Sequence, residues 1–166
     1  MRLGIVTVSD KAARGEREDR GGPAVREALA SAGMAVEVLD YRVVPDEQDQ
    51  IAEALYHLSE RDEVEIILTT GGTGLAPRDV TPQATLETID YQVPGLAEAM
   101  RAASMRVTSA GMLSRAVAGV RNRTLIVNLP GNPKAVHETL AVIAPALPHA
   151  IETLRGHLGE HDRDTA

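Results

Sequence analysis

The chain has 166 residues, a net charge of −7 and 43% apolar side chains, with only 2% aromatic residues and no cysteine. One globular domain with an aliphatic core is expected, and disulfides, thiolate chemistry, iron–sulfur clusters and Cys-ligated zinc are excluded. Three tyrosines as the only aromatics and an acidic balance argue against nucleic acid as a partner, since a phosphate-tracking face needs many Lys and Arg and single strands need stacking rings.

Residues 2–8 are rich in Ile and Val and read as a first strand. A polar loop follows, and Pro23 is expected at the first position of a helix that buries Ala24, Leu29 and Ala32 and ends at Gly33. Residues 34–44 read as a second strand, broken by Pro45. Asp46 is a good helix cap, and Ile51, Ala54, Leu55 and Leu58 follow at the spacing of one helix face. "VEIILTT" (residues 64–70) is a short, largely apolar run, as in a strand buried on both faces. Thr81 as cap with Pro82 in the first turn, and Pro94 with Gly95, open two further helices, while residues 111–122 carry no single periodicity. "RTLIVNLP" is another buried strand, and the helical stretch after Pro133 is expected to break or kink at Pro145 and Pro148. Alternating strands and helices imply an α/β fold with a mainly parallel sheet.

No apolar run approaches membrane-span length, and "MRLGIVTVSD" turns polar too soon for a signal peptide. A cytoplasmic chain with no membrane partner is therefore expected.

In such folds ligands sit beyond the carboxyl ends of the strands. That rule gathers Ser9-Asp10, Pro45-Asp46, the loop Gly71–Asp79 and the segment Asn128–Lys134 on one rim. Gly71, Gly72 and Gly74 permit close backbone approach to an anion. The alternative is a tight turn with no ligand, for neither a Walker loop nor a dinucleotide fingerprint is present. Asp46 and Asp79 suit Mg²⁺, which takes one or two carboxylates together with ligand phosphates. Alternatively Asp46 caps a helix and Asp79 pairs with Arg78. Asn132 can read a ring edge or cap a helix. Lys134 can meet a phosphate or stay solvated, and Ser114-Arg115 offers a hydroxyl and an anion fork or a plain surface pair. Five histidines show no zinc spacing, and no G-x-S-x-G nucleophile turn appears.

The segments "TVSDKAARGEREDRGGPAV", "VVPDEQ", "ILTTGGTGLAPRDVTPQAT", "VPGLAEAMR", "LSRAVAGV" and "LIVNLPGNPKAV" occur in that order, within a resemblance that runs from about Leu3 to Leu147. Together they resemble the MogA/MoaB family of molybdenum-cofactor biosynthesis. "VPDE" with "PRDVTP" resembles the MogA branch, the molybdopterin adenylyltransferases, more than bacterial MoaB.

The resemblance implies a single doubly wound α/β domain with helices on both faces, here over residues 1–155, with a polar tail over 156–166. It implies transfer of AMP from ATP to the terminal phosphate of molybdopterin, with release of pyrophosphate. The product passes to a downstream molybdate-inserting protein, and the chain is expected to form homotrimers. By the same resemblance Asp46 and Asp79 serve Mg²⁺ and the nucleotide phosphates. Gly71, Gly72, Thr73 and Gly74 line the nucleotide path, and Ser114, Arg115, Gly131, Asn132 and Lys134 lie toward the pterin. Asp10 and Asp19 match family positions with either a structural or a ligand role. The alternatives are a MoaB-like molybdopterin binder with weak or no transferase activity, and a nucleotide pyrophosphatase like the related competence-damage domain.

Overall fold

The Ile- and Val-rich start forms β1 (Arg2–Val8), which lies buried between β2 (Glu37–Val44) and β3 (Ile66–Thr70) in the computed structural model, which describes residues 1–156. The sheet continues through β6 (Thr124–Leu129) to β5 (Ala118–Arg121) and β4 (Tyr91–Gln92), in the order β2-β1-β3-β6-β5-β4. The first four are parallel, while β5 runs antiparallel to both β6 and β4. All residues of β3 and β6 are buried, the polar Thr69, Thr70, Thr124 and Asn128 included, as in central strands covered on both faces.

The helices are α1 (Asp10–Ala13), α2 (Gly21–Ser31), α3 (Gln48–Ser59), α4 (Thr81–Thr88), α5 (Pro94–Val107), α6 (Pro133–Ile143) and α7 (Leu147–Arg155). Two apolar clusters hold them to the sheet. On one face Val25, Leu29, Met100, Leu140 and Ile151, from α2, α5, α6 and α7, pack on Leu3, Ile5, Leu68 and Val127. On the other, Ile51, Leu55 and Leu58 of α3 and Ala84 of α4 pack on Val6, Ile67 and Ile126. A fully buried aliphatic side chain of this kind contributes roughly 1.5–3 kcal/mol relative to exposure. The fold is therefore a single doubly wound α/β domain with helices on both faces.

Several expectations of detail change. Helix α2 begins two residues before Pro23, at Gly21, because the Asp19 carboxylate accepts from the amides of Gly21 (2.7 Å) and Gly22 (3.3 Å). Ala32 is exposed just past its end, and Val25 and Ala28 complete the buried face instead. Helix α3 starts after Glu47, so Asp46 is not its cap. Thr81 does not cap α4: its hydroxyl donates to the Gly71 carbonyl at 2.9 Å. Residues 109–113 form a 3-10 turn ahead of β5, and Pro145 sits in the 3-10 break between α6 and α7, with Pro148 in the first turn of α7. The tail, from residue 157 onward, lies outside the described residues. No helix among the described residues is long and apolar enough to cross a membrane.

Candidate active site at the carboxyl rim of the sheet

From β1 the chain first moves outward to β2, then crosses back to β3 on the other side. The crevice between the ends of β1 and β3 is thus the topological switch point of the sheet. The glycine loop, residues 71–80, opens over it. Gly71 and Gly72 have φ of +102° and +65°. A side chain at Gly71 would strike the Val8 carbonyl at 2.3 Å, and one at Gly72 the Thr81 hydroxyl at 2.4 Å. The loop keeps its shape through Thr81, whose amide and hydroxyl bond the carbonyls of Gly72 and Gly71. The amides of Gly72, Thr73 and Gly74 donate to no group among the described residues. Successive free amides beside left-handed glycines form a concavity suited to an anion.

Carboxylates stand along one side of this loop. Asp10, after β1, and Asp46, after β2, are joined reciprocally. The Asp10 amide donates to Asp46 Oδ2 at 2.7 Å, and the Asp46 amide donates to Asp10 Oδ1 at 3.1 Å. Arg78 of the glycine loop then grips both Asp10 oxygens, at 2.9 and 2.8 Å, and reaches Glu47 at 2.9 Å. One tie therefore links the loops after β1, β2 and β3. The Arg78 side chain holds the Asp10 carboxyl below its ordinary range. The Asp46 carboxyl is shifted the other way. Burial pushes it up, the charges of Asp10 and Asp79 add to the rise, and the bond from Asp10 and the charge of Arg78 oppose it. Asp46 Oδ1 lies 3.4 Å from the place a side chain would occupy at Gly72. Asp79 Oδ2 accepts from the Ala76 amide at 2.8 Å and sits 2.8 Å from the corresponding point at Gly74. The site thus brings Asp46 and Asp79 to opposite ends of the free amides, each with one oxygen, Oδ1, outside these bonds.

The other residues singled out from the sequence divide. Arg115 is no open anion fork. Its Nε donates to the Gly74 carbonyl at 2.8 Å, its Nη2 to the Asp79 carbonyl, and its amide to Thr73 O at 2.9 Å. Ser114 lines a cavity of about 380 Å³ between the glycine loop, α5 and α6, with Leu75, Met100, Arg101 and Ser104. Gly131 packs on Gly71, its potential Cβ 3.2 Å from the Gly71 Cα, and lines a second, polar cavity of about 230 Å³. Asn132 caps α6 by accepting from the Lys134 amide at 2.9 Å. Lys134 is exposed, 3.8 Å from Glu138. Asp19, one residue before the cap position, accepts from the first-turn amides of α2 and from the Thr7 hydroxyl at 3.0 Å. Sequence reasoning missed the role of Arg78, which it paired with its neighbour Asp79. The strand count had already put Asp10 on the same rim and held the necessary signal.

A model of the family described as "Probable molybdopterin binding domain" matches residues 4–149. The chain belongs to the MogA/MoaB molybdopterin-binding family. A family member from Escherichia coli K12, a molybdopterin adenylyltransferase, is 40% identical, the match covering 94% of this chain and 86% of that protein. The molybdopterin adenylyltransferase of Helicobacter pylori J99 is 37% identical over 95% and 89% of the two chains. Among solved structures of the family, the molybdopterin biosynthesis enzyme MoaB from Thermus thermophilus superposes with a TM-score of 0.86 at 53% identity, covering 93% and 96%. Likeness to this MogA/MoaB chain thus extends to both branches of the family, and the glycine loop and the aspartate clasp lie within the matched span.

Proposed function

We infer that this protein is a molybdopterin adenylyltransferase: it transfers AMP from ATP to the terminal phosphate of molybdopterin and releases pyrophosphate. The observation that carries the reading is the placement of Asp46 and Asp79 at the two ends of a run of free backbone amides. Such a site holds phosphates and offers no side-chain nucleophile. None is required, because the attacking group is already an anionic phosphate oxygen. Its bond to the α-phosphorus forms as the bond from that phosphorus to the pyrophosphate oxygen breaks. Catalysis is then positioning and charge stabilisation.

The amides of Gly72, Thr73 and Gly74 receive the nucleotide phosphates. Thr81 keeps those amides aimed before the ligand arrives. The cavity beside Ser114, mainly apolar with a few polar groups, suits a flat heterocycle, and we assign the pterin to it. Asn132 and Arg115 serve this site by fixing backbone rather than by touching substrate.

The donors present fit Mg²⁺. Asp46 Oδ1 and Asp79 Oδ1 remain outside the internal bonds, and no cluster of three or more metal-ligating side chains exists among the described residues. A metal held by one or two carboxylates and completed by substrate phosphates matches the habit of Mg²⁺. When bound, it would withdraw charge from the phosphate oxygens. The activity is placed in the cytoplasm, upstream of a molybdate-inserting protein, and the chain is taken to work as a homotrimer.

The test is incubation with molybdopterin, ATP and Mg²⁺, followed by mass detection of adenylylated molybdopterin. Its absence, with molybdopterin still bound, would favour a MoaB-like binding protein instead.

A further inference from the structure

The carboxylate side of the site leaves an electrostatic problem. Two phosphorylated substrates must meet beside Asp10, Asp46 and Asp79, in a chain of net charge −7. Arg78, the cation nearest those aspartates, is committed to Asp10 and Glu47, and Arg14 on the same rim to Glu16. Arg115 is committed to carbonyls.

The polar cavity of about 230 Å³ is lined by Gly71 and Gly72 of the glycine loop but by none of Asp10, Asp46 and Asp79. Gly71, Gly72 and Gly131 line it, and so do Arg17 and Arg20. Both are exposed, and neither has a carboxylate partner among the described residues. Two acidic residues share the lining, Glu18 and Asp19. Both oxygens of Asp19 are taken up by the amides of Gly21 and Gly22 and the Thr7 hydroxyl. That carboxylate also closes the N-terminus of α2, so the helix end is not what would draw an anion here. The two guanidinium groups are.

We propose that Arg17 and Arg20 make this cavity a phosphate subsite of the transfer reaction, holding either the terminal phosphate of molybdopterin or the pyrophosphate end of ATP. The proposal rests on the adenylyltransferase reading. The guanidinium fork matches phosphate oxygens, and bonds to ionised groups are the stronger class. The cavity shares Gly71 and Gly72 with the free-amide run, so a phosphate held here lies next to the nucleotide path.

The test uses the full chain with Arg17→Ala, Arg20→Ala, the double variant, and Arg26→Ala as a control on the exposed side of α2. Thermal melts check folding, and Arg20→Lys separates charge from shape. Steady-state transfer is measured with each substrate varied, and inorganic pyrophosphate binding is followed by calorimetry. Each arginine removed is expected to raise one KM about tenfold, the lower end for a bond to a charged group, with kcat changed less and Arg26→Ala unchanged. A rise confined to ATP, with weaker pyrophosphate binding, assigns the subsite to the nucleotide. A rise confined to molybdopterin assigns it to the pterin phosphate. Unchanged KM for both substrates in the folded double variant overturns the subsite and leaves the transferase reading standing. If wild type yields no adenylylated product, it is the transferase reading that falls. Loss of pyrophosphate binding in the folded double variant then still supports an anion site, and its retention overturns the subsite as well.

Discussion

Arg115 Nε donates to the Gly74 carbonyl at 2.8 Å while Nη2 of the same guanidinium bonds the carbonyl of Asp79. A residue that reads as an anion fork in the sequence is in fact a brace across the glycine loop. Arg115→Ala should therefore loosen residues 74–79 and cost roughly 1.5–3 kcal/mol, the worth of hydrogen bonds from a charged donor. Arg115→Lys should recover only part of this, because one ammonium cannot span two carbonyls as a planar fork does. Thermal melts and the KM for ATP check both. An Arg115→Ala protein with wild-type stability and kinetics would show that the brace is dispensable.

Asp46→Asn should lower adenylyl transfer about a hundred- to a thousand-fold, the usual cost of one lost charge interaction in the transition state, about 3–4 kcal/mol. Folding should change little. Asp46 does not cap α3, and an amide oxygen can still accept from the Asp10 amide. Asp79→Asn should behave alike, and the double variant should fall far short of the product of the two if both serve one metal. Pyrophosphate release and molybdopterin binding are the measurements. Turnover of Asp46→Asn within about threefold of wild type, well under the cost of a lost transition-state charge, would count against the metal role.

The Asp10–Arg78 pair sets a pH dependence of stability. The Arg78 side chain depresses the Asp10 carboxyl below its ordinary value of 3.8. Its contribution is thus fully present above 3.8 and is lost as pH falls through the lower folded-state value. The stability gap between wild type and Arg78→Ala should accordingly close on acidification below 3.8. It should also narrow at high salt, since Arg78 is half exposed. Melting temperatures across a pH and salt series decide. A gap that persists in strong acid would mean that Arg78 acts through packing rather than charge.

Self-association should use the apolar rim beside the Ser114 cavity. Leu75, Val107, Met112 and Leu113 are 63%, 58%, 62% and 54% exposed. Light scattering should report a trimer, and Met112→Glu with Leu113→Glu should shift it toward the monomer. A wild-type protein that is monomeric at micromolar concentration would remove this expectation.

The strands that build the rim were legible because β3 and β6 are buried on both faces and each centres on a short apolar run, Ile66–Leu68 and Leu125–Val127. Strand β4 was not, for two exposed residues on an edge have no periodicity to read. The caps show why local reasoning stops short. Asp46 and Asn132 both precede a helix, and both look like caps. Asn132 finds its local partner, the Lys134 amide. Asp46 finds instead the Asp10 amide, 36 residues away, brought alongside by the parallel pairing of β1 with β2. No spacing rule encodes that competition. The same holds for Arg78, whose partner Asp10 is 68 residues away and not its neighbour.

The glycine loop is fixed by contacts that exist without any ligand: the Val8 carbonyl behind Gly71, the Thr81 hydroxyl behind Gly72, and Gly131 against Gly71. A phosphate arriving there finds donors that need neither fold around it nor turn to meet it. The conformational entropy of ordering them was spent when the chain folded, so little of the binding energy goes to that cost. The donors also need little reorientation as charge shifts during transfer, which is where a preorganised site exceeds bulk water.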